Sequence, residues 1–532
     1  MPEPTPSTNA APATPGPVTG ALGATPHADG TTTFRVWAPR AETVAVRTGH
    51  GEWALQPDGG DVFTGRHPAV PGDDYTFVLD GARALPDPCA RAQPEGLTGP
   101  SRVVDTAALG AGGDWTGLTL ADTVIYEMHI GTFTSEGTFA SAIPRLAELR
   151  ALGVTALEVM PVATFAGHHG WGYDGVYAYA PHPAYGGPEG LAALVDAAHA
   201  AGLAVLLDVV YNHLGAGAGA VEAFGAYTTE GQATIWGGAI DYAQPAVREW
   251  AIQNAEMWVR DYRIDGLRLD AVHAIVDESR PHIMAELTDR VRAIHPDALI
   301  TSEMEIGDLR PIAEWGHDAQ WGDALHHAVH VLLTGEHEGY YAQYGAVADV
   351  ARELTRPEGP RFIVCAQNHD QVGNRALGDR LHGADLRLAA FCSILSRGTP
   401  LLFEGEDYDE PHPFQYFTDH IDPKIAQMTR DGRRAEFAAF SEFSRQEIPD
   451  PQDPATFLRS KLDPSGGDPA HLAYYRELLA LRRELGDAPL SIEEVDEERR
   501  LLRFRRGPVE LVANFSDAEQ DGVPARSGAV RR

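Results

Sequence analysis

From Val124 onward the chain alternates short, nearly all-apolar runs with amphipathic stretches that read as helices. The runs are VIYEMHI (from Val124), ALEVMPV (from Ala156), AVLLDVV (from Ala204), GLRLDAV (from Gly266), ALITSE (from Ala298), a weaker AQWGDAL (from Ala319), FIVCAQ (from Phe362) and TPLLF (from Thr399). FASAIPRLAELRALG, PEGLAALVDAAHAAG and PAVREWAIQNAEMWVRDY are the clearest helices between them. Strands apolar on both faces, separated by helices, belong to a buried parallel sheet. Eight such units predict an α/β fold, a (β/α)8 TIM barrel over residues 121–487, with a doubly wound open sheet as the rival.

The flanks carry a different pattern. Residues 1–17 are rich in Pro, Thr, Ala and Ser and are expected to form a disordered tail. TTTFRVWAPRAETVAVRT, DVFTGRHPAV and DDYTFVLDG alternate β-branched and aromatic residues with Gly and Asp turns. They predict an N-terminal β-sandwich over 18–100. Residues 101–120 read as a linker. From 488 to 532 the runs LLRFRRG and VELVANFS predict a small C-terminal all-β domain.

Composition narrows the partners. The 532 residues carry a formal net charge of −34. That argues against nucleic acid or an anionic membrane, both of which reward clustered Lys and Arg. A neutral sugar is compatible with it. Three widely spaced cysteines, Cys89, Cys365 and Cys392, suggest neither a disulfide framework nor a zinc site. No run reaches the roughly 18 apolar residues of a membrane span. The first residues have neither the basic start nor the apolar stretch of a signal peptide, so a cytoplasmic protein is expected, as monomer or homodimer.

In a (β/α)8 barrel the site lies at the C-terminal ends of the strands. Polar residues gather there. The third run ends in Asp208, followed by Asn212 and His213; the fourth carries Arg268 and ends in Asp270, with His273 beyond it. The fifth ends in Glu303, and Asn368, His369 and Asp370 follow the seventh. Glu127 and His129 stand on the first. Singly, an Asp at a strand end is more often a helix N-cap or half of an ion pair than a nucleophile. Together, Asp, Asp, Glu and His-Asp after four strand-like runs point to chemistry. A glycosidase needs two carboxyl groups flanking the scissile bond, about 5 to 5.5 Å apart for retention. A third would raise the acid's proton affinity.

DVVYNH (208–213), GLRLDAVH (266–273), SE (302–303) and QNHD (367–370) match, in order, the four short motifs of the α-amylase family, which the chain resembles. The resemblance implies Asp270 as nucleophile, Glu303 as general acid/base and Asp370 as transition-state stabiliser. It also implies that Asp208, His213, Arg268 and His369 line the subsite at the cleaved bond, with Tyr173 as an aromatic platform and His273 nearby. Glu305, on the same strand parity as Glu303, is the alternative acid. A calcium ion near Asn212 would fit the family, but too few oxygen ligands stand nearby; neither cofactor nor metal is expected.

IYEMHIGTFTSEGTF, AQWGDALHHAVHVLLTGEHEGYY and NHDQVGNRALGDRL are similar to the branch of that family that cuts maltooligosyltrehalose. This implies hydrolysis of the α-1,4 bond beside the terminal trehalose, with trehalose released. Trp236, Asp323, His327, Tyr340 and Tyr341 fall in the segments most alike and are the candidates for recognising trehalose. The sequence departs from the family in the loop after His213 and at Glu404, where Met is usual. A branching or debranching enzyme is the main rival; a non-catalytic glycan-binding protein is disfavoured by the intact carboxylate set.

Overall fold

The computed structural model describes residues 20–110, 112, 113, 115–234, 237–437 and 448–532. The expected tail, 1–17, and Trp236 lie outside the described residues.

Eight parallel strands close into a barrel. They are β1 (Ile125–Met128), β2 (Ala156–Val159), β3 (Ala204–Val209), β4 (Gly266–Leu269), β5 (Leu299–Ser302), β6 (Ala319–Trp321), β7 (Phe362–Cys365) and β8 (Thr399–Phe403). Neighbours pair in sequence order, and β8 closes onto β1 through Ile125 opposite Leu401. The weakest apolar run forms the shortest strand, β6. The open-sheet rival is excluded by the closure.

Side chains alternate in direction along a strand, so i and i+2 share a face. On the inner parity the lower positions are apolar: Ile125, Ala156, Ala204, Leu206, Leu299, Ala319, Ile363 and Leu401 form one buried cluster. Two residues higher the same parity turns polar on β1 to β4, with Glu127 opposite Glu158 and Asp208 opposite Arg268. Gly266 sits where β4 crowds β5, and a Cβ there would lie 2.2 Å from the carbonyl oxygen of Leu299.

One expected helix is interrupted. FASAIPRLAELRALG folds as Phe139–Ala142, a 3-10 turn Ile143–Arg145 and Leu146–Leu152. Pro144 lacks the amide needed to carry an α-helix through. By contrast, Pro245 opens the helix Pro245–Asp261 at its first position, where no amide partner is needed.

Two antiparallel sheets, of four and five strands, lie N-terminal to the barrel, and a four-stranded meander, Leu490–Asp496 to Ser527–Arg531, follows it. Ser101–Arg102 pairs with Asp74–Leu79, so the first sheet system runs into the stretch read as linker. Later residues of that stretch pack against the barrel. Trp115 stacks on His199 at 4.9 Å and donates to Asp265 Oδ1 at 2.5 Å, while Leu118 and Leu120 pack under the lower barrel cluster. The unusual loop after His213 is braced by the N-terminal sheets: Trp37 meets Tyr227 edge-on at 5.3 Å, and Phe77 meets Phe224.

Candidate active site

Arg268 is the centre of the site. Its guanidinium is completely buried inside β4 and lies 4.3 Å over the Trp321 ring, which supports it as a flat cation is supported by a π face. Nη1 donates to Asp208 Oδ2 at 2.8 Å and to Asp270 Oδ1 at 2.6 Å; Nη2 donates to Glu303 Oε2 at 2.6 Å. One fork therefore gathers three carboxyl groups from the ends of β3, β4 and β5. Side-chain exposure climbs from 0% at Arg268 to 10% at Asp270, 24% at Glu303 and 30% at Asp370. The reactive groups thus face the cleft while their support stays dry.

Asp270 and Glu303 are driven apart in proton affinity. Burial works to raise Asp270, but Arg268 and the side-chain amide of Asn212 outweigh it and hold Asp270 below its ordinary value. Asn212 Nδ2 donates to Asp270 Oδ2 at 2.7 Å. Glu303 moves the other way: burial pushes it up to about 8, Arg268 opposes, and Asp270, Asp370 and Asp323 add to the rise. Glu303 Oε2 accepts from both Arg268 and the amide of Ala271, so a proton on this carboxyl is directed to Oε1.

The backbone at Ala271 helps to arrange this. It is left-handed (φ 39°, ψ 51°), a conformation costly for a residue with a Cβ and characteristic of constrained sites. The turn lets the amide of Val272 reach the carbonyl of Glu303 at 3.1 Å. It also directs His273 outward. His273, expected to bind substrate, is exposed on this turn, outside the hydrogen-bonded cluster. Glu305 is exposed as well, which leaves Glu303 as the carboxyl held in the cluster.

A second chain of contacts forms the floor. Tyr173 donates to Asp208 Oδ2 at 2.7 Å and accepts from His369 Nε2 at 2.8 Å, with the two rings nearly parallel at 5.1 Å. His369 Nδ1 donates to Glu127 Oε1 at 2.6 Å. Both ring nitrogens thus donate, as an imidazolium does. Burial opposes that charge, but Asp370 and Glu127 overcome it and lift the pKa of His369 to about 10. Asp208 is raised to about 7 by burial, with Arg268 opposing and Asp270 adding. Asp370 lies 3.4 Å from His369 Nε2 and accepts from Asn374 at 3.0 Å.

Toward one side of this cluster, Asp323 opens the helix Asp323–Thr334 after β6, and burial and then Asp370 raise it to about 6. His327, one turn on, is buried under Tyr340 at 5.0 Å and Tyr341 at 5.3 Å. Tyr341 is buried, whereas Tyr340 is half exposed at 50%. His213 is buried and bonded to Asn212. Asn212 and Glu127 stand at strand ends in the sequence, but the motif match implied no role for either. Their signal, a polar side chain at or just past the end of an inward-facing strand, was the same as for Asp208. Glu404 had stood out only as a departure. It caps the turn after β1, accepting from the His129 amide at 2.9 Å and from Thr132 Oγ1 at 2.6 Å. Because Asn212 is committed to Asp270 and His213, it does not suit a calcium ion, and among the described residues no group of three His, Cys, Asp or Glu side chains could hold a metal.

A family model described as the alpha-amylase catalytic domain matches residues 100–231 and 238–484. A protein named malto-oligosyltrehalose trehalohydrolase from Deinococcus radiodurans is 44% identical over 502 residues, covering 87% of this chain and 83% of that one. Another of that name, from Arthrobacter ramosus, is 41% identical over 557 residues, covering 93% and 95%. A crystal structure from Salmonella typhimurium, named for an alpha amylase, superposes with a TM-score of 0.87 at 35% identity, over 97% of this chain and all of that one.

Proposed function

The chain belongs to the α-amylase family of glycoside hydrolases, in the branch of the malto-oligosyltrehalose trehalohydrolases, and from that premise we propose that it cleaves the α-1,4-glucosidic bond beside the terminal trehalose of maltooligosyltrehalose by a retaining double displacement. Glu303 gives its proton to the glycosidic oxygen as Asp270 attacks the anomeric carbon. Trehalose leaves and the glucan stays on Asp270 as an ester. Glu303, now a carboxylate, takes a proton from water, which attacks the same carbon and frees the glucan with its α configuration kept. Asp370, on the cleft side of His369, would bind hydroxyls of the sugar whose ring distorts. Tyr173 and His369 would form the platform beneath it.

The observation that carries this reading is the split between two carboxyl groups on one guanidinium. Asp270 is held ionised by Arg268 and Asn212, while Glu303 keeps its proton up to about pH 8. A nucleophile and a general acid are thereby both ready at neutral pH. The trehalose end of the proposal rests on the names of the relatives above. It is also supported by the aromatic and polar group Asp323, His327 and Tyr340 beside Asp370.

The test is product identification. Purified protein is incubated with maltooligosyltrehalose and, separately, with a plain maltooligosaccharide of equal length. Rapid release of free trehalose from the first, with slow cutting of the second and the new reducing end first seen as the α anomer, supports the proposal. Only glucose and maltose, a new α-1,6 branch, or a β anomer would overturn it.

A further inference from the structure

On the face of the barrel opposite the cleft lies a cavity of about 1150 Å³. Its wall includes the residues that enter the strands, among them Val124, Thr155 and Thr399. It carries six arginines, Arg150, Arg361, Arg397, Arg482, Arg483 and Arg506, against two carboxylates, Asp122 and Asp487. In a chain of net charge −34 this is a concentrated reversal of sign.

Many of the chain's other arginines pair with carboxylates. Arg248 meets Asp277 and Arg375 meets Glu336 in ion pairs. Among the described residues, none of the six has a carboxylate oxygen within 4.0 Å. Four of them donate to backbone carbonyls instead, Arg150 to Val154 at 3.3 Å. Arg482 donates to Ile394 and Ser396 at 2.8 and 3.0 Å and to Gly398 at 2.6 Å. Arg506 donates to Ser396 at 2.6 Å and to Gly486. Arg361 donates to the carbonyls of Asp318, Ile312 and His317. Carbonyl dipoles satisfy N–H groups but do not neutralise a cation, and a buried charge without a counter-charge is costly. Arg506 is 3% exposed, and its Nε is buried with no acceptor among the described residues. Burial and then Arg506 push the pKa of Arg482 down to about 9, and burial and then Arg397 push Arg506 to about 10. Both stay charged at neutral pH, so the repulsion persists.

We propose that this cavity binds a small anion carrying two or more phosphoryl charges, held by guanidinium forks from the last helix, the C-terminal sheet and the loops that enter β7 and β8. Guanidinium matches phosphate oxygens two at a time and keeps its charge where a lysine would lose it. Several forks around one space demand an anion with many acceptor oxygens, which a single carboxylate does not offer. Binding here ties the C-terminal domain to the barrel on its stability face, away from the cleft. It is therefore expected to raise thermal stability.

Inorganic pyrophosphate is the probe, titrated into the full chain while Tm is followed, with potassium chloride at matched ionic strength as control. The variant is Arg397→Gln with Arg483→Gln, which leaves the anchored Arg361, Arg482 and Arg506 in place. In the native chain pyrophosphate should raise Tm by a few degrees along a saturating curve. In the double variant the apparent Kd should weaken by at least about tenfold, as expected for lost charge-assisted contacts. Circular dichroism of both proteins without anion checks that the variant is folded; if it is not, Arg397→Gln alone replaces it. A rise equal to that in chloride, or a rise undiminished in the variant, would overturn the site.

Discussion

Asn212 donates to Asp270 twice from one nitrogen, to the side-chain Oδ2 at 2.7 Å and to the backbone carbonyl at 2.9 Å. The first bond favours the ionised carboxylate and the second fixes the residue that carries it. With Arg268 on Oδ1, both oxygens of the proposed nucleophile are aimed from below. Hydrogen bonds to charged groups contribute about 1.5–3 kcal/mol. Asn212→Ala should therefore lower kcat by about 10- to 100-fold with a smaller change in KM. It should also move the acid limb of the pH–rate profile to higher pH, because removing a donor raises the pKa of Asp270. Steady-state kinetics across pH check this; a kcat loss with an unmoved acid limb would show that Asn212 merely packs.

Glu303 sets the other limb. Its pKa lies above the usual carboxylate range, at about 8, so the proton needed by the leaving group is present below that pH and is lost as pH rises through it. Activity should fall on the basic side with an apparent pKa near this value, as a property of the coupled carboxylates. Glu303→Gln should abolish that limb and nearly all hydrolysis of oligosaccharides, yet spare much of the first step for an aryl glycoside whose leaving group needs no proton. Equal losses on both substrates would count against the acid role.

The barrel and the carboxylates were legible in the chain because both depend on local pattern. An apolar run is buried on both faces wherever it occurs, and a polar residue at its end faces the rim. What was not legible depends on closure. Glu127 and His369 lie 242 positions apart, and only the pairing of β1 with its neighbours makes one the hydrogen-bond acceptor of the other. Pro144 was in plain view, but the helix period around it masked the break. The stretch 101–120 reads as a linker because glycines recur in it, and the contacts that Trp115, Leu118 and Leu120 make with the barrel cluster are not visible in that local pattern.

Glu158 shows the same limit in another form. It lies inside the barrel at the level of Glu127, and neither carboxyl oxygen has a hydrogen-bond partner among the described residues. Burial, and then the negative charge of Glu127, hold its pKa well above the ordinary value. The folded protein therefore keeps a proton that the unfolded chain releases above about pH 4.3. Stability associated with this group is fully present at low pH and declines as pH rises, by about 1.4 kcal/mol per unit. Glu158→Gln does not titrate. Whatever its offset at pH 5, its stability relative to the native chain should improve steadily toward pH 8. Thermal melts at several pH values would reveal this, and a constant difference between the two proteins would show that Glu158 is ionised or already paired.

The final prediction concerns what distinguishes trehalose from maltose as a leaving group. The 1,1 linkage turns the second glucose ring and leaves no reducing end, so a site that favours it needs a rigid wall against that ring. Tyr340 is the candidate wall that the described residues offer. Half of its surface is exposed, yet its ring is held from behind by His327 at 5.0 Å and Tyr341 at 4.5 Å. An exposed aromatic fixed by buried neighbours presents a flat apolar face at little conformational cost. It stands on the Asp370 side of the cluster, where Asp370 contributes to its electrostatic surroundings. An aromatic contact of this kind contributes about 1 kcal/mol, or roughly fivefold in a ratio of rates. Tyr340→Ala should reduce the preference for maltooligosyltrehalose over a maltooligosaccharide of equal length by about that factor. Cleavage of the plain oligosaccharide should change less. Trp236, which lies outside the described residues, should be tested in parallel as Trp236→Ala. If Tyr340→Ala slows both substrates equally, the ring serves packing alone, and selectivity for trehalose must reside with Asp323 or with Trp236.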